Sequence, residues 1–111
     1  MNEELKVFVL TVSEDSTTDE YYLIVKGKNE ILVERILSDT AEEEVSIKAD
    51  VELQELIKNH DLEGLRDVLT VEYGPDVKFK IEEYEGPKAR LIVEKLALID
   101  GLEEALKVFL V

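Results

Sequence analysis

Leu5-Lys6-Val7-Phe8-Val9-Leu10-Thr11-Val12-Ser13, followed after a polar stretch by Tyr21-Tyr22-Leu23-Ile24-Val25-Lys26, decides the fold. In the first run Phe8, Leu10 and Val12 alternate with Leu5, Val7, Val9 and Thr11, the period-two pattern of a strand. Val, Phe and Thr suit a pleated surface. The second run has Leu23, Ile24 and Val25 at its centre and reads as a second strand. Between them SEDSTTDE, residues 13–20, reads as a polar turn or short loop, which makes the pair a β-hairpin.

Neither strand has a wet side. The pattern sets Phe8, Leu10, Val12 and Ile24 on one face and Val7, Val9, Leu23 and Val25 on the other. An antiparallel sheet with one face in water alternates apolar with polar residues. Both faces of this hairpin are therefore covered. Helices of the chain can cover one. The other takes further helices, giving a three-layer monomer, or a second copy, giving a homodimer.

Outward from the hairpin, Gly27-Lys28-Asn29-Glu30 is a turn signal. The run from Ile31 to Leu37 fits a strand through Ile31 and Val33, with a helix through Leu32, Val33, Ile36 and Leu37 as the rival. Thr40 and Glu43 have capping-box spacing, but no apolar periodicity follows. The run from Glu44 to Ala49 reads as a fourth strand. Asp50 caps a helix whose apolar stripe is Leu53, Leu56, Ile57 and His60, and Asp61 caps a second one carrying Leu62, Leu65, Val68 and Leu69. Gly64 inside that helix costs about 1 kcal/mol relative to Ala.

Gly74-Pro75-Asp76 ends the helical stretch, and Val77, Phe79 and Ile81 alternate with Lys78, Lys80 and Glu82 as a further strand. Pro87 favours a helix start. The stripe Ala89, Ile92, Val93, Leu96 and Ala97 predicts a helix from Lys88 to Ile99, against a rival strand through Leu91 and Lys95. Asp100 and Glu103 have the spacing of a cap before a last helix through Leu102, Ala105, Leu106 and Phe109. The class is α+β: an antiparallel sheet of four to five strands with an N-terminal β-hairpin, packed with two central and one or two C-terminal amphipathic helices. The 111 residues read as a single domain.

Composition excludes more than it assigns. The formal net charge is −14, from 27 Asp and Glu against 13 Lys and Arg. Such a surface repels phosphate backbones and anionic membranes. There is no Cys, hence no disulfide, thiolate nucleophile or Cys-based metal site, and a single His. Gln54 is the only glutamine, and Asn2, Asn29 and Asn59 are the only asparagines; abundant Glu and Lys beside this scarcity is a hyperthermophile-like composition. Met1-Asn2-Glu3-Glu4 lacks the basic start of a signal peptide and no run approaches a transmembrane span, so the expected location is cytoplasmic.

Three features of the chain are candidate sites. Asp15, Thr17 and Asp19 stand at positions 1, 3 and 5 of an EF-hand loop, but Glu20 stands where glycine is needed and Lys26 where the bidentate acid is needed. His60 titrates near neutrality when unperturbed, yet Ser13, Ser16, Ser38 and Ser46 have no nucleophile-elbow context, so His60 reads as a helix-end residue. The acidic runs Glu42-Glu43-Glu44, Glu82-Glu83 and Glu103-Glu104 read as solvated surface. No catalytic, cofactor-binding or metal-ligating residue is assigned. The expected function is a non-enzymatic protein–protein interaction or assembly module whose partner is another protein or a second copy. The alternatives are an acidic decoy that binds a basic protein, and a small enzyme. The apolar terminal run from Leu106 to Val111, too broad for one helix face, adds to the case for self-association.

The densest basic spots are Lys26-Gly27-Lys28 and Lys78-Phe79-Lys80. Random-sequence duplex DNA at physiological salt is therefore expected to show no shifted band in a gel assay; micromolar binding would contradict the charge argument.

Overall fold

The structure, a computed structural model, describes residues 4–14, 17–38 and 43–111. Strands β1 (Leu5–Glu14), β2 (Thr17–Lys26), β3 (Asn29–Ser38) and β4 (Glu43–Lys48) come first, then helices α1 (Val51–Lys58) and α2 (Leu62–Tyr73). Strand β5 (Lys78–Glu85) and helices α3 (Gly86–Ala97) and α4 (Glu103–Leu110) complete the chain. The strands form one sheet in the order β4-β3-β2-β1-β5, antiparallel throughout. The α+β class holds, as do the strand reading from Ile31 to Leu37 and the helical reading after Pro87. Among the described residues no helix is long and apolar enough to cross a membrane.

The hairpin is longer than its apolar core announces. Backbone pairing continues to Glu14 opposite Thr17, so Thr17 to Glu20 begin β2 instead of forming a loop. Backbone amides gain a full ladder by staying extended there, and Thr is at ease in a strand. The same register corrects the face assignment. Leu23 lies opposite Phe8, Tyr21 opposite Leu10, and Ile24 opposite Val7. Even positions of β1 thus share a face with odd positions of β2, which periodicity within each strand cannot reveal.

Both faces are covered by helices of the same chain. On one, Phe8, Leu10, Val12, Tyr21, Leu23 and Leu32 pack with Leu53, Ile57, Leu65 and Leu69 of α1 and α2. On the other, Val7, Val9, Tyr22, Ile24 and Val33 pack with Ala89, Val93, Leu96, Leu106 and Phe109 of α3 and α4. The terminal run is largely absorbed here: Leu106 and Phe109 are buried and Leu110 packs against them, while Val108 and Val111 remain exposed. The sheet faces thus need no second chain to cover them.

Helix ends follow local chemistry with one exception. Asp50 accepts the Leu53 N–H at 3.0 Å and Asp61 the Gly64 N–H at 2.9 Å, as the cap signals predict. Asp100 does not cap α4. Gly101 turns left-handed at φ 90°, the Leu102 N–H bonds back to the Ile99 carbonyl, and Leu102 takes the cap position with no side-chain bond. Thr40 lies outside the described residues.

Gly64 is there for space. A Cβ at this position would stand 2.5 Å from Cδ2 of Leu56 and 2.8 Å from Oδ2 of Asp61, the cap of its own helix. Gly64→Ala is expected to lower stability by about 1 kcal/mol in urea unfolding, although Ala is the better helix former, because the clash outweighs propensity. A gain in stability would show that Leu56 yields freely.

Candidate functional site

The residues singled out in the sequence do not converge. Asp15 and Ser16 lie outside the described residues. Thr17, Asp19 and Glu20 sit on a strand, so Asp19 faces the α1–α2 layer and Glu20 the opposite side. No EF-hand-like ligand set can form from them. The doublets Glu43-Glu44 and Glu82-Glu83 are likewise split between the two faces of the sheet.

His60 is not on the apolar stripe of α1. The helix stops at Lys58, Asn59 caps it, and His60 turns into the left-handed region at φ 52° to start the link to α2. Its side chain is 44% exposed. The ring meets Phe8 edge-to-face at 5.9 Å, and Nε2 lies 3.6 Å from Oε2 of Glu83. Its polar neighbour is a carboxylate instead of a hydroxyl nucleophile.

The structure assembles a polar cluster that sequence reasoning missed. Asp19 and Glu34 are only 7% and 5% exposed. Tyr73, the last residue of α2, donates its hydroxyl to Oδ2 of Asp19, and the hydroxyls of Tyr73 and Tyr21 are 2.7 Å apart. Nζ of Lys48 on β4 sits 2.9 Å from Oε1 of Glu34. Burial pushes the Asp19 carboxyl up and neighbouring Glu34 pushes it further, while the bond from Tyr73 pulls it back. Burial also raises Glu72, with Glu34 and Asp19 adding to the effect. Both tyrosine hydroxyls are pushed well above their ordinary value, chiefly by burial, and stay protonated donors. The sequence held one signal: Glu34 interrupts the apolar run from Ile31 to Leu37. Among the described residues no group of three His, Asp or Glu side chains is disposed to hold a metal ion. The cluster ties the end of α2 and strands β3 and β4 to β2.

Beside it lies the sheet's barest element. Among the described residues β4 pairs with β3 alone, and its outer edge has no partner strand. Two ion pairs fasten it inward, Lys48 to Glu34 on one face and Glu43 to Arg35 on the other. The helices pack over the remainder of the sheet: α1 over β1 and β2, α3 over β1 and β5, α4 over β2. Side chains of β4 alternate, with Val45 and Ile47 on the α3–α4 side and Glu44, Ser46 and Lys48 on the other. Ile47 is 47% exposed.

Comparison with models of protein families, with curated proteins and with solved structures finds no match.

The raised Asp19 carboxyl has a definite sign. Its contribution to stability is complete below the ordinary carboxylate value of 3.8 and is lost as pH rises through the raised value. Asp19→Asn keeps an acceptor for Tyr73 and removes a buried charge. It should therefore match or exceed the parent at pH 7 and gain less on acidification towards pH 5. Tyr73→Phe should cost about 1–3 kcal/mol, the usual cost of an unsatisfied buried acceptor. Urea unfolding of the three proteins at both pH values checks this; a large loss in Asp19→Asn at pH 7 would mean that the ionised form is favoured.

Proposed function

We propose that the chain is a non-enzymatic assembly module that pairs edge to edge with a second copy through β4. The observation that carries this reading is the self-complementary pattern of that strand. A two-fold axis perpendicular to the sheet keeps like faces together, so it must lie midway between one residue of β4 and the same residue of the partner strand. Placed at Ser46, it sets Glu44 opposite Lys48 of the partner subunit on one face and Val45 opposite Ile47 of the partner subunit on the other. Each pairing occurs twice. Opposite charges and β-branched pairs across strands are both favourable. The exposed Ile47 side chain is covered, and the open backbone edge is satisfied by a continuous ten-stranded sheet.

The other edge is less open. α3 packs over β5 on one face, and Arg66 of α2 lies 5.0 Å above the Phe79 ring on the other. Helices therefore flank β5, whereas β4 projects past them. Strand addition of this kind takes its affinity from main-chain hydrogen bonds and its specificity from alternate side chains.

Charge opposes the pairing, since two copies carry twice −14. Ions screen that repulsion over about 8 Å at physiological strength. Six residues of edge also bury less than the roughly 1,600 Å² of a standard interface. The dimer is therefore weak, with a dissociation constant on the order of 100 μM.

Sedimentation equilibrium from tens of micromolar upward, in low and high salt, is expected to show monomer in exchange with dimer. Ile47→Lys and Glu44→Lys should each shift it to monomer, whereas Leu98→Lys, on the exposed surface near the C-terminus, should leave it unchanged. A single 12.7 kDa species in every condition would end this reading, as would a dimer that Leu98→Lys abolishes and Ile47→Lys does not.

A further inference from the structure

The α3–α4 layer does not reach the end of the sheet it covers. Along β1 the residues facing it run from Val7 and Val9, in the core, to Thr11, which is only partly buried. At Thr11 a polar row crosses four strands: Lys80 on β5, Thr11 on β1, Glu20 on β2 and Arg35 on β3. Where the row meets the last turns of α3, a cleft of about 360 Å³ opens. That lies within the size range of small-ligand sites, roughly 300–1,000 Å³. Val9, Ile92 and Leu96 form its apolar wall, and Tyr22 and Tyr84 add aromatic rings.

The charges inside differ from those of the whole chain. Acids outnumber cations about two to one overall, 27 to 13, yet the cleft is lined by three cations, Arg35, Lys80 and Lys95, and two acids, Glu20 and Glu82. Both acids are already engaged. Glu82 accepts the Tyr84 hydroxyl at 2.8 Å and lies 3.4 Å from Lys80, and these two neighbours hold its carboxyl below the usual range. Glu20 lies 3.9 Å from Arg35, which also binds Glu43 just outside. Burial, with Glu20 adding to it, pushes the Tyr22 hydroxyl up to about 12, so the ring stays neutral. The Lys95 side chain has no ion pair or hydrogen bond among the described residues. The carbonyl ends of α3 beside it are occupied, since the Leu98 and Ile99 N–H groups bond to the Lys95 and Leu96 carbonyls.

We propose that this cleft binds a small organic carboxylate with a flat apolar body. Lys95 takes the carboxylate, with Lys80 as the second cation, and the body lies along Val9, Ile92 and Leu96 between the two tyrosine rings. The apolar wall supplies affinity by burial, and the unpaired ammonium supplies the preference for an anion. The site uses no residue of β4 and is independent of the edge pairing proposed above.

The test is a titration of the ¹⁵N-labelled protein with 2-naphthoate, followed by amide chemical shifts. Saturating shifts are expected at Val9, Thr11, Tyr22 and Leu96. The uncharged analogue 2-naphthamide and the variant Lys95→Glu should each weaken binding about tenfold, the effect of losing one charge-assisted hydrogen bond. Lys95→Gln, which removes the positive charge without reversing it, should fall between. Equal affinity for the acid and the amide would overturn the proposal, as would undiminished binding to Lys95→Glu or shifts confined to the surface around Leu98 and Val111. Dispersed spectra of the variants show that their fold is intact.

Discussion

A sheet that is apolar on both sides cannot stop at two layers. β1 and β2 place Phe8, Leu10 and Leu23 on one face and Val7, Val9 and Ile24 on the other, all buried. Full burial of one such side chain is worth about 1.5–3 kcal/mol, so leaving either face open would cancel much of the net stability of a chain this size. The topology meets that constraint in two passes. β4 and β5 occupy opposite edges, so the chain between them must cross four strand spacings, about 19 Å. α1 and α2 make that crossing on one face, and α3 and α4 then cover the other.

Coverage by two helical pairs is uneven, and the uneven places are where polar chemistry collects. At the end of α2 the first core closes on Asp19, Glu34, Tyr21 and Tyr73 instead of on apolar groups. A buried carboxylate is tolerable only when donors or a cation satisfy it, which here are the Tyr73 hydroxyl and the Lys48 ammonium. At the end of α3 the second core gives way to the row from Lys80 to Arg35 and the cleft above it. Arg35 joins this cleft to the open edge of the sheet, since it lines the cleft and holds Glu43 of β4. Edge and cleft are thus neighbouring consequences of one fact: four short helices do not cover five strands.

Much of this was legible in the residues, and the reasons are local. The helix starts at Asp50 and Asp61 depend on a cap and the turn that follows it, and both are as read. The two-sided apolar run of β1 required cover on both faces, and the cover is there. His60 was misread because an i+7 match extended the stripe of α1 beyond the point where the chain turns left-handed. The loop at residues 13–20 was misread because composition favours a turn, while pairing with β1 rewards extension up to Thr17. Glu34 and Asp19 were invisible as a pair because they lie on different strands, and only the β2–β3 register brings them together.

By itself, then, the sequence determined the class of fold, the number of layers its central strands require, the sign of its net charge and the absence of cysteine chemistry. Those follow from periodicity, caps and composition, which act over a few residues or over the sum of all of them. Tertiary structure alone decided which strand faces which, and so whether Leu23 or Ile24 joins Phe8. It decided that Gly64 makes room for Leu56, that Lys48 neutralises Glu34, and that β4 is left bare. Each of these is a distance between residues far apart in the chain, set by strand register and helix placement.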